Sequence, residues 1–121
     1  DPRRSVLRGE RPQPILAGTN TTIGVIATDT TVTKVQARRL AMAGHDGLAR
    51  CINPAHTLSD GDTLFALGTG TTERTPGMTV LSVMAAEAVA RATVRAVRAA
   101  HSVQADATWL PGLSGDVPGD A

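Results

Sequence analysis

Apolar and polar positions along this chain of 121 residues follow two alternating patterns. The run from Ile23 to Thr28 is β-branched and apolar at consecutive positions, which is typical of a strand covered on both faces. A similar run from Thr63 to Thr69 predicts a second strand of this kind. Between the two runs, apolar residues recur at helical spacing from Ala37 to Ile52, before Asn53-Pro54. The pattern predicts a helix there.

Two further signals complete the predicted order of elements. Thr33 with Gln36 three residues later is a capping-box pattern at the start of the first helix. A longer helix is predicted from Thr79 to about His101, with an apolar side formed by Val80, Val83, Met84 and Ala88. The order strand, helix, strand, helix predicts an α/β fold. Two strands that are apolar on both faces need more cover than two helices supply, so we expect further layers from an upstream segment or a partner chain.

The two ends of the chain differ in composition from its middle. Residues 1–19 are rich in Pro and Arg, which favours an extended, solvated linker. Residues 103–121 carry several Pro and Gly, so we expect a flexible tail. The chain begins at Asp1 rather than Met, and aromatic residues make up only 2% of it. The expected core is therefore thin, which suggests one piece of a larger folded unit.

Charge and cysteine content narrow the possible partners. The formal net charge is +1, and Arg is interspersed with Asp and Glu, which argues against nucleic-acid binding. No apolar run is long enough to cross a bilayer, so we expect no membrane partner and a cytoplasmic location, with a leader upstream of Asp1 left open. The single Cys51 cannot form an internal disulfide and is interpreted as a buried, inert thiol.

Three groups of polar residues could carry chemistry. They are residues 19–22 (Thr-Asn-Thr-Thr), the loop 59–63 (Ser-Asp-Gly-Asp-Thr), and the histidines His45, His56 and His101. No pair of histidines has the spacing of a zinc-binding helix, so we interpret them as surface or capping residues and expect no metal centre among them.

The loop before the second strand has two interpretations. Asp60-Gly61 is a turn signal, and Asp62 then lies at the start of the strand. Two carboxylates separated by one Gly could instead point into one small site, where each would change the proton affinity of the other. A calcium loop would need further oxygen ligands, and Leu64 to Leu67 offers none. A metal-binding loop at Asp60 and Asp62 nevertheless stays as an alternative, as does a non-catalytic truncated or assembly domain.

The Asn20-Thr21 bond offers a different chemistry, autoproteolysis. The Thr21 hydroxyl can attack the preceding carbonyl in an N-to-O acyl shift, and hydrolysis of the ester leaves Thr21 with a free α-amine. An α-amine has a pKa of about 7.7 to 8.0, so it can act near neutral pH as general base for the hydroxyl of its own residue. Nucleophile and base are then one residue, and no histidine is required.

Four ordered blocks of sequence together resemble a known family. They are residues 18–29 (GTNTTIGVIATD), 43–50 (AGHDGLAR), 54–57 (PAHT) and 60–66 (DGDTLFA). The chain is similar, from about Ala17 to Ala100, to the C-terminal portion of the self-cleaving N-terminal-nucleophile aminopeptidases and amidases. That family includes the L-aminopeptidase/D-esterase, the β-peptidyl aminopeptidases and the 6-aminohexanoate-oligomer (nylon oligomer) hydrolases.

The resemblance implies an architecture and a site. Family members form a four-layer αββα sandwich from a precursor that cuts itself into an α and a β subunit. By similarity, the scissile bond is Asn20-Thr21 and Thr21 is the nucleophile. Asp60 and Asp62 match the two acidic positions beside the threonine of the nylon-oligomer branch. The β-peptidyl branch has a Ser nucleophile with a Ser and a Glu instead.

The resemblance also implies an organisation of the chain and its partners. Residues 1–20 would be the end of the α segment with the autoprocessing linker, and residues 21–102 the catalytic β-subunit portion, followed by the tail 103–121. The expected partners are its own α subunit, a peptide or amide substrate, and further αβ units in a homo-oligomer; no cofactor is expected. Without the α subunit we expect no turnover.

Overall fold

The computed structural model describes residues 2–11, 21–73 and 75–113. Within this part the chain forms an α/β structure, as its pattern predicts, and divides into two compact units, Asp1–Ala90 and Arg91–Ala121. The elements are α1 (Pro2–Leu7), β1 (Ile23–Thr30), α2 (Lys34–Cys51), β2 (Thr63–Thr72), α3 (Met78–Ala99), β3 (Val103–Ala105) and β4 (Thr108–Leu110).

The first unit is organised by a parallel pair of strands. β1 pairs with β2 from Ile23 opposite Thr63 to Thr28 opposite Gly68, and an irregularity follows before Thr30 pairs with Thr72. Both strands are longer than predicted, since β1 continues to Thr30 and β2 to Thr72. α2 makes the crossover that a parallel pair requires. Because the strands are parallel, the residues that precede them lie side by side at one edge, which we call the strand-start edge: Thr21, Thr22 and residues 60–62.

The capping box of α2 is confirmed. The Gln36 N–H donates to Thr33 Oγ1 (3.3 Å), and the Thr33 N–H donates to Gln36 Oε1 (2.8 Å). These two bonds satisfy N–H groups that have no partner within the helix. At the other end the Ile52 N–H still donates to the Leu48 carbonyl (2.8 Å). The helix thus ends where the Asn53-Pro54 signal predicts.

The core lies between the sheet and the helices. A cluster of buried side chains packs with partly buried neighbours: Leu40, Ala43, Leu81 and Ala85, with Ile26, Val32, Ala66 and Met78 against them. The apolar side predicted for α3 does not face the core, because Val80, Val83 and Met84 are exposed. The buried residues of this helix are instead Leu81, Ala85 and Ala86. α3 is apolar on more than one side, so periodicity alone does not select the side that packs.

Two glycines let α2 approach its neighbours closely. A Cβ on Gly44 would lie 2.5 Å from Ile26 Cδ1 and 2.8 Å from Leu64 Cδ1. A Cβ on Gly47 would collide with the backbone carbonyl of Ala86 in α3. A glycine within a helix costs about 1 kcal/mol relative to Ala. Close packing against β1, β2 and α3 accounts for both glycines.

One face of the two-stranded sheet is uncovered by the described residues. Side chains along β1 alternate between exposed and partly buried, as a strand with one covered face requires. We call the uncovered side the open face; its apolar residues are Ile23, Val25, Phe65 and Leu67, which are 46–71% exposed. The sequence predicted strands covered on both faces. Within the described part of the chain, only the face towards the helices is covered.

The ends of the chain hold more structure than their composition predicts. Part of the predicted linker is helix α1, where Pro2 occupies a first-turn position that tolerates its missing N–H. Where the composition predicts a flexible tail, β3 and β4 form an antiparallel hairpin, with Gln104 opposite Trp109. Asp106 makes the turn at a φ of 51°, a conformation that Asp adopts more readily than most residues. Residues 12–20 and 114–121 lie outside the described part.

Cys51 is exposed. Its apolar neighbours in the sequence had predicted a buried thiol. It is the last residue of α2, and its Sγ lies 3.4 Å from the Ala90 carbonyl, to which the thiol donates. The burial prediction is therefore wrong.

We expect Gly47→Ala to destabilise the protein by about 1–3 kcal/mol, since the new methyl group must displace the Ala86 backbone. At an exposed helix position the same change would stabilise by about 1 kcal/mol. Chemical denaturation of the full-length protein that contains this chain measures the difference. Arg39→Ala, at an exposed position of α2, is the control and should stay within about 0.5 kcal/mol of wild type. Equal or greater stability of Gly47→Ala would contradict the close approach of the two helices.

Candidate active site

The strand-start edge brings the two predicted polar segments together. The Thr63 N–H donates to the Thr22 carbonyl (2.9 Å), which joins the segment before β1 to the segment before β2. The next pair along the register is Ile23 with Thr63. The polar residues of both segments are therefore held by the same hydrogen-bond ladder that forms the sheet.

The Thr21 hydroxyl lies directly against Gly61. A Cβ on Gly61 would be 2.6 Å from Thr21 Oγ1, and the φ of this glycine lies outside the left-handed region. Glycine is needed at position 61 because a side chain there would collide with the Thr21 hydroxyl, not because the backbone has an unusual conformation. Thr21 itself is exposed. Asn20 and the predicted Asn20-Thr21 scissile bond lie outside the described residues.

Asp62 holds the backbone next to Thr21 with a largely buried carboxylate. Its side chain is 8% exposed, and its Oδ1 accepts a hydrogen bond from the Thr22 N–H (2.9 Å). A hydrogen bond to a charged carboxylate is stronger than one between neutral groups. Asp62 thus fixes the backbone one residue after Thr21.

Asp60 acts within its own loop. Its Oδ2 accepts from the Thr57 N–H (2.7 Å), while its own N–H donates to the Thr57 carbonyl (3.1 Å). The reciprocal bonds close a turn over residues 57–60, centred on Leu58 and Ser59, whereas the turn signal had predicted a turn at Asp60-Gly61. The structure therefore places Asp60 and Asp62 on either side of Gly61, each with one carboxylate oxygen on a backbone N–H. Over the described ranges, no three His, Cys, Asp or Glu side chains are arranged to hold a metal ion.

Two histidines that sequence reasoning set aside lie at the same edge. His45 Nδ1 and His56 Nε2 are 2.9 Å apart, and the rings meet edge to face with centroids 4.9 Å apart. His56 Nε2 is also 3.9 Å from Asp62 Oδ2. His56 has a φ of 58°, so its backbone is in the left-handed region. The interpretation of these two residues as isolated surface or capping histidines omitted their contact with each other and with Asp62.

The lengths of α2 and β1 predict this contact. α2 has 18 residues and β1 has 8, so each spans roughly 26 Å at ordinary rises per residue. A crossover helix runs back along the sheet, which returns its last turns to the strand-start edge. His45 is in those last two turns, and the loop with His56 must pass them to reach β2.

The β-α-β unit thus carries a threonine and two carboxylates at its strand-start edge. The model of Peptidase family S58 matches residues 3–109, and the chain belongs to this family.

Curated relatives agree with this membership. An uncharacterized aminopeptidase of Mycobacterium leprae is 43% identical over 120 residues, covering 86% of this chain and 33% of the relative. An uncharacterized aminopeptidase of Mycobacterium tuberculosis H37Rv is 42% identical over 112 residues, covering 79% of this chain and 33% of the relative. The 6-aminohexanoate-oligomer endohydrolase of Paenarthrobacter ureafaciens is 40% identical over 60 residues, covering 50% of this chain and 17% of that enzyme. The chain therefore spans about one third of the length of the mycobacterial relatives.

On the function proposed below, with Thr21 as nucleophile, we expect Gly61→Ala to displace the Thr21 hydroxyl and to lower hydrolysis by about 100-fold, because a misplacement of about 1 Å has that effect on an aligned group. The measurement is release of 4-nitroaniline from L-alanine 4-nitroanilide by the full-length protein. Ser59→Ala in the same loop is the control and should retain wild-type turnover. Wild-type turnover in Gly61→Ala would show that the Thr21 hydroxyl does not act from the position described.

Proposed function

We propose that the protein containing this chain hydrolyses peptide or amide bonds with Thr21 as nucleophile, after self-cleavage of the Asn20-Thr21 bond. The observation that carries the proposal is the close approach of the Thr21 hydroxyl to Gly61, the residue between Asp60 and Asp62 in sequence. Membership of a peptidase family and the resemblance to self-cleaving hydrolases support the same chemistry.

Self-cleavage needs only groups that this segment carries. The Thr21 hydroxyl attacks the Asn20 carbonyl carbon, the C–N bond breaks, and the nitrogen of Thr21 takes up a proton as the ester forms. Water then hydrolyses the ester, which releases the Asn20 carboxylate and restores the hydroxyl. Thr21 becomes the first residue of a new chain, and its free α-amine lies beside its own hydroxyl.

Turnover repeats this chemistry on a substrate. The α-amine accepts the hydroxyl proton as Thr21 Oγ1 attacks the substrate carbonyl, and the leaving amine takes that proton as the amide C–N bond breaks. Water hydrolyses the resulting ester and frees Thr21. A nearby carboxylate stabilises the ammonium that forms on the α-amine during each attack.

The two aspartates have different tasks in this proposal. Asp62 holds the Thr22 N–H and so fixes the backbone that carries Thr21. Asp60 fixes the turn that presents Gly61 to the hydroxyl. Both carboxylates flank Gly61, so both contribute negative charge near the position of the α-amine. This assignment favours the branch with a threonine nucleophile and two acidic residues.

Relatives suggest the class of substrate. Two are named aminopeptidases, and another is named a 6-aminohexanoate-oligomer endohydrolase. We propose aminoacyl amides, peptides or ω-amino-acid oligomers as substrates.

We also propose that the protein acts in the cytoplasm. No helix in the described ranges has the length and apolar character needed to span a membrane.

The open face supports a larger assembly. Ile23, Val25, Phe65 and Leu67 are apolar and exposed there, and the chain spans only about one third of its mycobacterial relatives. We propose that an upstream α segment, ending in residues 1–20, covers this face with the remaining strands of a four-layer αββα sandwich. The chain alone is then inactive, and αβ units assemble further into a homo-oligomer.

We expect the full-length protein to yield a fragment that begins at Thr21, and Thr21→Ala to remain uncut, because its side chain has no oxygen to attack the Asn20 carbonyl. Intact-mass spectrometry of both proteins is the measurement. Thr22→Ala is the matched control, since it removes the neighbouring hydroxyl, and it should still be cleaved. A single uncut wild-type chain would refute self-processing.

We expect Asp60→Asn and Asp62→Asn each to lower turnover by about 100-fold or more, since each removes a negative charge beside the α-amine. The amide oxygen can keep the bond to the Thr57 or Thr22 N–H, so unfolding free energies should change by less than about 1 kcal/mol. Steady-state kinetics and denaturation measure the two effects. Asp46→Asn on α2 is the control. If both variants keep wild-type turnover, the acidic pair is structural.

A further inference from the structure

We propose that His56, held by His45, is a positioning residue for Asp62, and that this chain of three side chains fixes the position of the Thr21 nucleophile. The inference rests on the proposed function, because it assigns a support to the Thr21 site. It concerns two side chains that the catalytic steps above do not use.

The geometry forms a continuous line of polar contacts. His45 Nδ1 lies 2.9 Å from His56 Nε2, which lies 3.9 Å from Asp62 Oδ2. The other oxygen of the same carboxylate, Oδ1, accepts from the Thr22 N–H at 2.9 Å. The line thus begins on α2, passes through the 52–62 loop and ends on the peptide group that follows Thr21.

Burial places this line behind the nucleophile. Exposure alternates from Thr21 into β1: Thr21 is exposed, Thr22 is partly buried and Ile23 is exposed again. The Asp62 side chain is only 8% exposed, and His45 on α2 is partly buried. Thr21 therefore lies on the side of the open face, while Asp62 and His45 lie on the helix side. His56, whose side chain is 38% exposed, joins them at the rim of the strand-start edge.

Charge fixes the direction of the hydrogen bond between the rings. One of the two ring nitrogens must donate and the other must accept. Asp62 carries a negative charge 3.9 Å from His56 Nε2, which favours the tautomer with the hydrogen on that nitrogen. His56 Nε2–H then donates to His45 Nδ1, and His45 carries its own hydrogen on Nε2. The bond to His45 holds the His56 ring with its Nε2 3.9 Å from Asp62 Oδ2, and the ring in this position limits the rotation of the Asp62 carboxylate.

The backbone of His56 is in the left-handed region, with a φ of 58°. His adopts this conformation more readily than most residues other than Gly, Asn and Asp. With this backbone, His56 Nε2 lies 2.9 Å from His45 Nδ1 and 3.9 Å from Asp62 Oδ2.

The test compares His56→Ala with His56→Gln in the full-length protein. Both replacements keep a non-glycine residue at positive φ, so their backbone costs are matched. The glutamine amide nitrogen can occupy the place of Nε2 and donate, whereas alanine cannot. We expect His56→Ala to lower kcat on L-alanine 4-nitroanilide by about 10- to 100-fold with KM changed less than about twofold. His56→Gln should recover most of the lost kcat.

A second pair of variants and a structural readout keep the test independent of one substitution. His45→Asn retains an acceptor near the place of Nδ1 and should act like wild type, whereas His45→Ala should act like His56→Ala. Amide hydrogen exchange of the peptide containing Thr22 should be faster in both alanine variants than in wild type. His101→Ala, a histidine outside the line, is the control and should change neither kcat nor exchange.

The outcomes separate this inference from the proposed function. If Thr21→Ala abolishes turnover but His56→Ala and His45→Ala keep wild-type kcat, the positioning role is refuted and the nucleophile stands. If His56→Gln is as poor as His56→Ala, with equal loss of thermal stability, the ring is a packing element and the role is also refuted. If Thr21→Ala retains turnover, the proposed function fails whatever the histidine variants do.

Discussion

The parallel pairing of β1 with β2 is the constraint on which the site depends. Ile23 pairs with Thr63, so the residues just before each strand are forced together although some 40 positions separate Thr22 from Asp62. A shift of the register by one residue would move Thr21 away from Gly61 and exchange the exposed and buried positions of a whole strand. The register is fixed by the core, since Ile26 and Ala66 must both face the helices. The packing of the core and the geometry of the site therefore depend on the same register.

The register in turn depends on how closely α2 approaches the sheet. Gly44 has no side chain between the helix axis and the tips of Ile26 and Leu64, and Gly47 lies against the backbone of α3. The described core contains few large side chains, with Leu40 and Leu48 the largest that are fully buried. Small residues at the contacts compensate for this, because dispersion depends on close approach of many atoms rather than on the size of single side chains. A core poor in aromatic residues can thus hold a fixed register.

The sequence specified those features that depend on local chemistry. The Thr33–Gln36 capping box and the two strands follow from residues near one another in the chain, and the Thr21 and Asp62 segments were found by motif. The buried side of α3 was not predictable from periodicity, because several of its sides are apolar and its contacts with α2 and the sheet decide among them. His45 and His56 were missed for a related reason. Neither has a motif spacing, and their contact arises from the return of a helix and a loop to the strand-start edge.

The position of Thr21 links assembly to activity. The alternation of exposure along β1 puts Thr21 on the same side as Ile23 and Val25, which belong to the open face. A segment that covers these apolar residues would therefore border Thr21, the proposed nucleophile. On the proposed function, the carboxylates come from this chain, whereas the wall in front of Thr21 comes from the proposed α segment. On this argument the α segment contributes to substrate selection as well as to stability, and residues of this chain alone do not determine which amide is cleaved.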